Sequence, residues 1–241
     1  MEKKINLGCG PIGKEDWINI DWGILAILHK HPLIEKMLIK LNLFPKGYNV
    51  KWPKNLKLHN CKKKMPFDSN SIDYIYASHF LEHFKNFEAK EIIKDCYRIL
   101  KGGGIIRIVV PDLELLVKKY LEKDFDYFRK MDDLMNINKE KKKYSNNILL
   151  ADILISNFYP EFYKQKVIGM SKVTTFFIRP HLWMYDYESL KSLLETTGFK
   201  KIERKSFKEG NVPDLDQLDI FPEMSLYVEA EKWLNLSIPK S

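Results

Sequence analysis

Short β-rich runs alternate along the chain with longer stretches in which apolar residues recur every three or four positions. That alternation predicts an α/β fold, a mostly parallel sheet doubly wound with helices. Seven runs read as strands: Lys4 to Leu7, Trp17 to Ile20, Leu56 to His59, Ile72 to Ala77, Gly104 to Val110, Lys200 to Ser206 and Leu226 to Glu231. Helices are predicted for Phe87 to Leu100, with a stripe of Ile92, Ile93, Cys96, Ile99 and Leu100, and for Asp186 to Thr197, with Leu190, Leu193 and Leu194. Lys101 with Gly102 closes the first and Gly198 the second.

Two segments fall outside this rhythm. Leu113 to Arg179 is too long for one crossover helix and reads as an inserted helical subdomain. Within it, Asp124 to Asn147 is charge-rich and expected at the surface, whereas Ile148 to Ile155 is apolar enough to require burial. Ile24 to Phe44 reads as two short helices broken at Pro32, with Ile24, Ile27, Leu28, Leu38 and Leu41 sharing an inward side. Its lysines, on the other side, also fit a helix lying on a membrane surface. The organisation expected is one domain over 1–241, with insertions at about 24–45 and 113–179.

Composition narrows the classes. A chain of 241 residues, 45% hydrophobic, can bury a full core and is not intrinsically disordered. The net charge of +8 comes from 40 basic residues of which only Arg98, Arg107, Arg129, Arg179 and Arg204 are arginines. Base reading favours the arginine fork, so no specific nucleic-acid partner is expected. Cys9, Cys61 and Cys96 form no CxxC pair, which points away from a disulfide framework and toward a reducing cytoplasm. No ligand spacing suggests a metal. The basic N-terminus leads into no apolar export segment, and no run is long and apolar enough to span a bilayer.

The first strand runs directly into Gly8, Cys9 and Gly10, a GxG that lets backbone approach a ligand closely. Gly13 completes a GxGxxG, the dinucleotide fingerprint, so a nicotinamide oxidoreductase is one reading. That fingerprint wants its ribose-binding acid about twenty residues on, after a crossover helix. Asp21 stands only eleven beyond Gly10, which leaves room for a loop in place of that helix.

Further matches occur in order. Met65 to Asp73 reads MPFDSNSID, Tyr76 to His83 reads YASHFLEH, and Tyr97 to Pro111 holds a basic turn with glycines and a strand. His181 to Phe199 ends in Gly-Phe. Together with Asn6 to Gly10 and Trp17 to Asp21, these pieces resemble the class I S-adenosylmethionine-dependent methyltransferases, in the branch known as type 11. The resemblance implies a seven-stranded sheet with its last strand antiparallel and S-adenosylmethionine as cofactor. It implies cofactor contacts from Leu7, Gly8, Cys9, Gly10 and Ser78, ribose binding by Asp21, and adenine binding by Asn60 and the backbone of Cys61. The family commonly carries acids where this chain has Asn6 and Asn60.

The implied reaction is in-line displacement at the sulfonium methyl, in which the protein aligns the acceptor and excludes water. A small-molecule or glycan-like acceptor reacting at oxygen is expected, and a base would help it. His79 is the first choice, with Glu82 and His83 beside it, at the sheet edge where α/β sites form. Each histidine also suits a purely structural polar cluster. Asp112 reads as a substrate ligand or as a helix N-cap, and Arg179 and His181 as substrate residues. Lys62, Lys63 and Lys64 are available to attract an anion. A cofactor-binding module without catalysis is the other alternative, suggested by Asn6 and Asn60.

Overall fold

The computed structural model describes residues 2–41, 51–135, 150–159 and 180–233. Its strands are β1 (Lys4–Leu7), β2 (Ile18–Asp21), β3 (Lys57–Leu58), β4 (Ile72–Ser78), β5 (Leu100–Pro111), β6 (Phe199–Lys205) and β7 (Ser225–Lys232). They form one seven-stranded sheet in the order β3-β2-β1-β4-β5-β7-β6. Pairing is parallel from β3 through β5, and only β7 runs against its neighbours. The strand order reverses between β1 and β4. Ligands of open α/β sheets settle at such a switch point, outside the carboxyl ends of the strands.

Each predicted strand exists, with its ends shifted by a residue or two, except that β5 begins four residues early, at Leu100. Gly103 adopts φ +81°, and the register of β4 against β5 shifts between Ile72 and Tyr74, so the glycines form an irregular strand start where a turn was expected.

One face of the sheet is covered by α3 (Asn86–Ile99) and α7 (Tyr187–Thr197). Their predicted stripes, including Ile92, Ile93, Cys96, Leu190 and Leu194, pack on Ile5, Leu7, Ile75, Ile106 and Ile108. Asp186 caps α7 by accepting from the Ser189 N–H at 2.8 Å, and Gly198 at φ +112° ends it.

The other face is covered differently. Among the described residues no helix occupies the passage from Gly10 to Trp17. The connection between β6 and β7 lies over that face instead. It includes the short helix α8 (Leu215–Leu218), and Val212, Leu215 and Leu218 pack with Trp17, Tyr76, Val109 and Tyr227. Asp214 fastens it: its carboxylate accepts from Trp17 Nε1 at 2.8 Å and pairs with Lys14 at 2.9 Å and Lys4 at 3.1 Å. These contacts hold Asp214 at φ +65°, a strained conformation for a residue with a side chain.

The insertions are helical where they are described. The first holds α1 (Ile24–His29) and α2 (Pro32–Lys40), with Pro32 in the first turn of α2. Ala26 of α1 packs with Cys9, Trp52 and Leu56. The shared inward side is corrected: Ile24 and Leu41 are exposed, and α2 buries nothing. The break at Pro32 separates the two helices, so only α1 lies against Trp52.

The second insertion supplies α4 (Leu113–Leu121), α5 (Phe125–Met135) and α6 (Leu150–Phe158). Leu116, Phe128 and Leu150 gather on Met224. Two expectations are corrected here. Phe128 is fully buried within the charge-rich stretch, because an amphipathic helix hides one face whatever its charge count, and Ile155 is exposed. No described helix is long and apolar enough to cross a membrane.

The Asp214 carboxyl carries a pH signature. Burial acts to raise its pKa, but hydrogen bonds from Trp17, Lys14 and Lys4 outweigh it and hold it at about 2, below the ordinary 3.8. A depressed carboxylate stabilises the fold above its unfolded pKa and loses that contribution as pH falls through the folded one. Asp214→Asn is therefore expected to melt below wild type at pH 7, with the gap closing between pH 4 and 2 in thermal scans.

Candidate active site

β1 ends in the glycine turn. The Gly8 and Cys9 N–H groups both donate to the Ile20 carbonyl, at 2.8 and 3.1 Å, which ties the turn to β2. Gly8 and Gly10 adopt φ +65° and +52°. A Cβ on Gly8 would come within 2.4 Å of the Phe80 ring, whereas one on Gly10 would meet nothing within 4 Å. Gly8 is thus required by packing, and Gly10 borders open space. The Gly10 N–H donates to Asp21 Oδ2 at 3.0 Å, so the acid closing β2 stands against the turn closing β1. Asn6 orders the same loop, its amide donating to the Ile12 carbonyl at 3.1 Å. Leu7 and Cys9 send their side chains into core clusters and leave only backbone to a ligand.

Gly13 has another purpose. A Cβ there would meet Pro53 at 2.5 Å and Asn19 at 2.6 Å, so its hydrogen serves packing beneath the loop. With no helix following it, the fingerprint of a nicotinamide site is not assembled.

A cavity of about 300 Å³ opens beside the turn, lined by Trp22, Asn60, Cys61, Phe80, His83 and Leu182 among others. Asn60 Oδ1 accepts from the Lys62 N–H at 3.0 Å, stiffening the turn, and an amide oxygen retains a second lone pair for a ligand. Lys62, Lys63 and Lys64 line a neighbouring hollow of about 320 Å³ that shares the Cys61 and Lys62 wall. Sequence reasoning missed Trp22, although an aromatic directly after the acid that closes β2 was a readable signal.

Past β4, the chain turns sharply through His79, at φ +46°, into a 3-10 turn at Leu81–His83. Ser78, at the end of β4, is half-buried at this edge. His79 Nε2 lies 2.9 Å from Ser225 Oγ, and its Nδ1 lies 3.3 Å from Glu82 Oε1. Both its nitrogens thus face protein groups. His83 Nδ1 lies 2.9 Å from the Pro180 carbonyl, which can only accept, so Nδ1 carries a proton and the lone pair is on Nε2. The His83 and His181 rings are 5.1 Å apart. Leu182 and Trp183 donate their N–H groups to the Glu82 carbonyl at 2.7 and 3.1 Å, which brings His181 to the turn.

Glu82 is fully buried. Burial acts to raise its pKa, but His79, with the positive potential of His83 and His181, holds it at about 2. Of the predicted substrate residues, His181 joins this cluster and Arg179 lies outside the described residues. Asp112 is corrected to a structural role. It is buried, Oδ1 caps α4 through the Leu115 N–H at 3.1 Å, and Oδ2 pairs with Arg204 at 2.5 Å.

Residues 36–108 match the family described as methyltransferase domain, and this match sits on a sheet whose only reversed strand is β7. Over those residues the chain is similar to that family. Among solved structures, the chain is similar to a SAM-dependent methyltransferase from Archaeoglobus fulgidus, at 16% identity, 96% of this chain, 86% of that one and TM-score 0.47. It is likewise similar to one from Methanosarcina mazei, at 19%, 97%, 93% and 0.47. The CurJ carbon methyltransferase shows 13% identity and TM-score 0.45, with 96% of this chain covering 48% of that one. One curated protein, the CRISPR-associated endoribonuclease Cas13a of Leptotrichia wadei, is 30% identical over 123 residues, 50% of this chain. The match spans 10% of that protein's length.

S-adenosylmethionine is the cofactor that the match implies, and the chain has residues that fit it. Gly10 leaves backbone bare beside open space, and the Asp21 carboxylate stands beside it with oxygens suited to vicinal ribose hydroxyls. The two glycines are expected to separate on substitution. Gly8→Ala forces a Cβ into Phe80 and should lower both the melting temperature and S-adenosylmethionine affinity. Gly10→Ala carries only the left-handed penalty of about 1–2 kcal/mol and should mainly weaken binding; melting scans and calorimetry distinguish the two.

Proposed function

We propose that the chain transfers a methyl group to an oxygen of a small-molecule or glycan-like acceptor, in the cytoplasm. What supports this reading most is one cavity whose wall holds Asn60 and Cys61 on one side and His83 with Leu182 on the other. It would let a donor and an acceptor meet within a single enclosure.

Asp21, Gly10 and the Asn60–Cys61 turn would hold the cofactor. When bound, it supplies an electrophilic methyl together with its own leaving group. The protein's share is positioning and water exclusion, and Trp22, Phe80 and Leu182 provide apolar walls for that. A hydroxyl acceptor must lose its proton as it attacks, and His83 Nε2 carries the lone pair to receive it. Glu82 is a buried carboxylate beside His83, and His79, bridging Glu82 and Ser225, positions that carboxylate. The hollow of about 260 Å³ lined by Tyr159, His181, Trp183 and Met184 extends the acceptor side. Its aromatic rings suit the apolar faces of a sugar or another ring compound.

Turnover decides this reading. With a panel of hydroxylated acceptors, release of S-adenosylhomocysteine is expected from wild type. His83→Ala should lower turnover about 10²-fold or more and leave cofactor affinity within a few-fold. Asp21→Ala should weaken cofactor binding by about 10–100-fold, from the loss of a charged hydrogen-bond acceptor. Cofactor binding without turnover on the whole panel would favour a binding module, and unchanged affinity in Asp21→Ala would refute the ribose role.

A further inference from the structure

We propose that Glu82, His83 and His181 form a binding site for one divalent transition-metal cation of the zinc class. One ligand atom from each residue lies within 4.8 Å of the others. Two ligands of a tetrahedral zinc ion stand about 3.4 Å apart, for bond lengths near 2.1 Å, so shifts of roughly an ångström close the set. His83 and His181 are half-buried and can make them, whereas Glu82 is fixed in the interior.

The carboxylate itself asks for an occupant. Both Glu82 oxygens are buried; Oε1 meets His79 Nδ1 only at a long 3.3 Å, and Oε2 has no hydrogen-bond partner among the described residues. The Tyr185 hydroxyl, whose ionisation Glu82 disfavours, is likewise buried without a hydrogen-bond partner. Buried carboxylates are ordinarily hydrogen-bonded or matched by a cation.

The surroundings support imidazole ligation. His83 is tethered through its Nδ1–H to the Pro180 carbonyl, the arrangement that orients metal-binding histidines and leaves Nε2 to the metal. The Glu82 carbonyl receives the N–H groups of Leu182 and Trp183, which fixes the segment bearing His181 to the turn bearing the other two. Two imidazoles and one carboxylate suit zinc, cobalt or ferrous iron better than magnesium or calcium, and three ligands leave a position open. Because His83 lines the cavity, that position would accept the acceptor hydroxyl. The cation would then lower the hydroxyl's pKa so that its proton passes to solvent water, in place of His83 acting as base. This last role rests on the methyl-transfer reading; the binding of the cation does not.

The test is a titration of the tag-free full chain with Co²⁺, followed by its visible absorption and by calorimetry, in the absence of cofactor and acceptor. One equivalent is expected to bind. Both Glu82→Gln and His181→Ala should weaken it at least about 10-fold while melting near wild type, and His31→Ala, at the exposed histidine just before α2, should not change it. If His181→Ala alters the melt, His181→Gln serves in its place. Absence of saturable binding, or binding that survives both ligand substitutions, overturns the proposal. Neither result bears on cofactor affinity, so this failure is distinguishable from failure of the methyl-transfer reading.

Discussion

The short passage from Gly10 to Asp21 constrains the rest of the molecule. An N–H to carboxylate bond spans those eleven positions at 3.0 Å and leaves no length for a helix between β1 and β2. Trp17 and Tyr76, which such a helix would cover, must be buried by something else. The β6–β7 connection does it, held by Asp214 across some two hundred residues of sequence. The same short passage sets the acid of β2 directly beside the glycine turn of β1. One economy of chain thus produces both the cover for this face of the sheet and the close approach of Asp21 to the glycine turn.

Two buried charge clusters in this sheet show how structure and chemistry divide. Arg107 is fully buried between β4 and β7, and its five donors are all used. Nε and a terminal nitrogen reach Asp219, another reaches Glu229, and the remaining two hydrogens reach the carbonyls of Ser206 and Glu209. Satisfied within the protein, that cluster fastens the β6–β7 connection, and breaking it would leave charge buried without a partner. Glu82 is equally buried, yet Oε1 meets His79 Nδ1 only at 3.3 Å and Oε2 has no hydrogen-bond partner among the described residues. A cluster with closed valences holds a fold together; one with open valences is prepared for a proton, a cation or a substrate.

The sheet was legible because each strand is bounded by glycine, proline or polar residues and its neighbours carry 3.6-residue stripes. The loop replacing the first helix was legible from spacing alone. Phe128 was not, because a single buried aromatic on a charged helix leaves little trace in composition. Nor was the exposed apolar side of α2, since periodicity shows that a face exists without naming what lies against it. In the site, the glycine turn and Asp21 were readable as adjacent features of one corner. The approach of His181 to Glu82 was not, since it depends on a contact joining His83 to Pro180 across 97 residues. The capping role of Asp112 was readable from its place before a helix, but its ion pair with Arg204 on β6 was not.

The two roles open to His83 compete for one lone pair. A proton on Nε2 expels a cation, and a cation on Nε2 removes the base, so the two forms of the site differ by a metal-for-proton exchange. Because Leu182 and Trp183 hang from the Glu82 carbonyl, the acceptor wall is built from the same turn that carries the charge. Tyr159 of the second insertion lines the same hollow as Trp183, whereas Gly10 and Asp21 are held at the ends of β1 and β2.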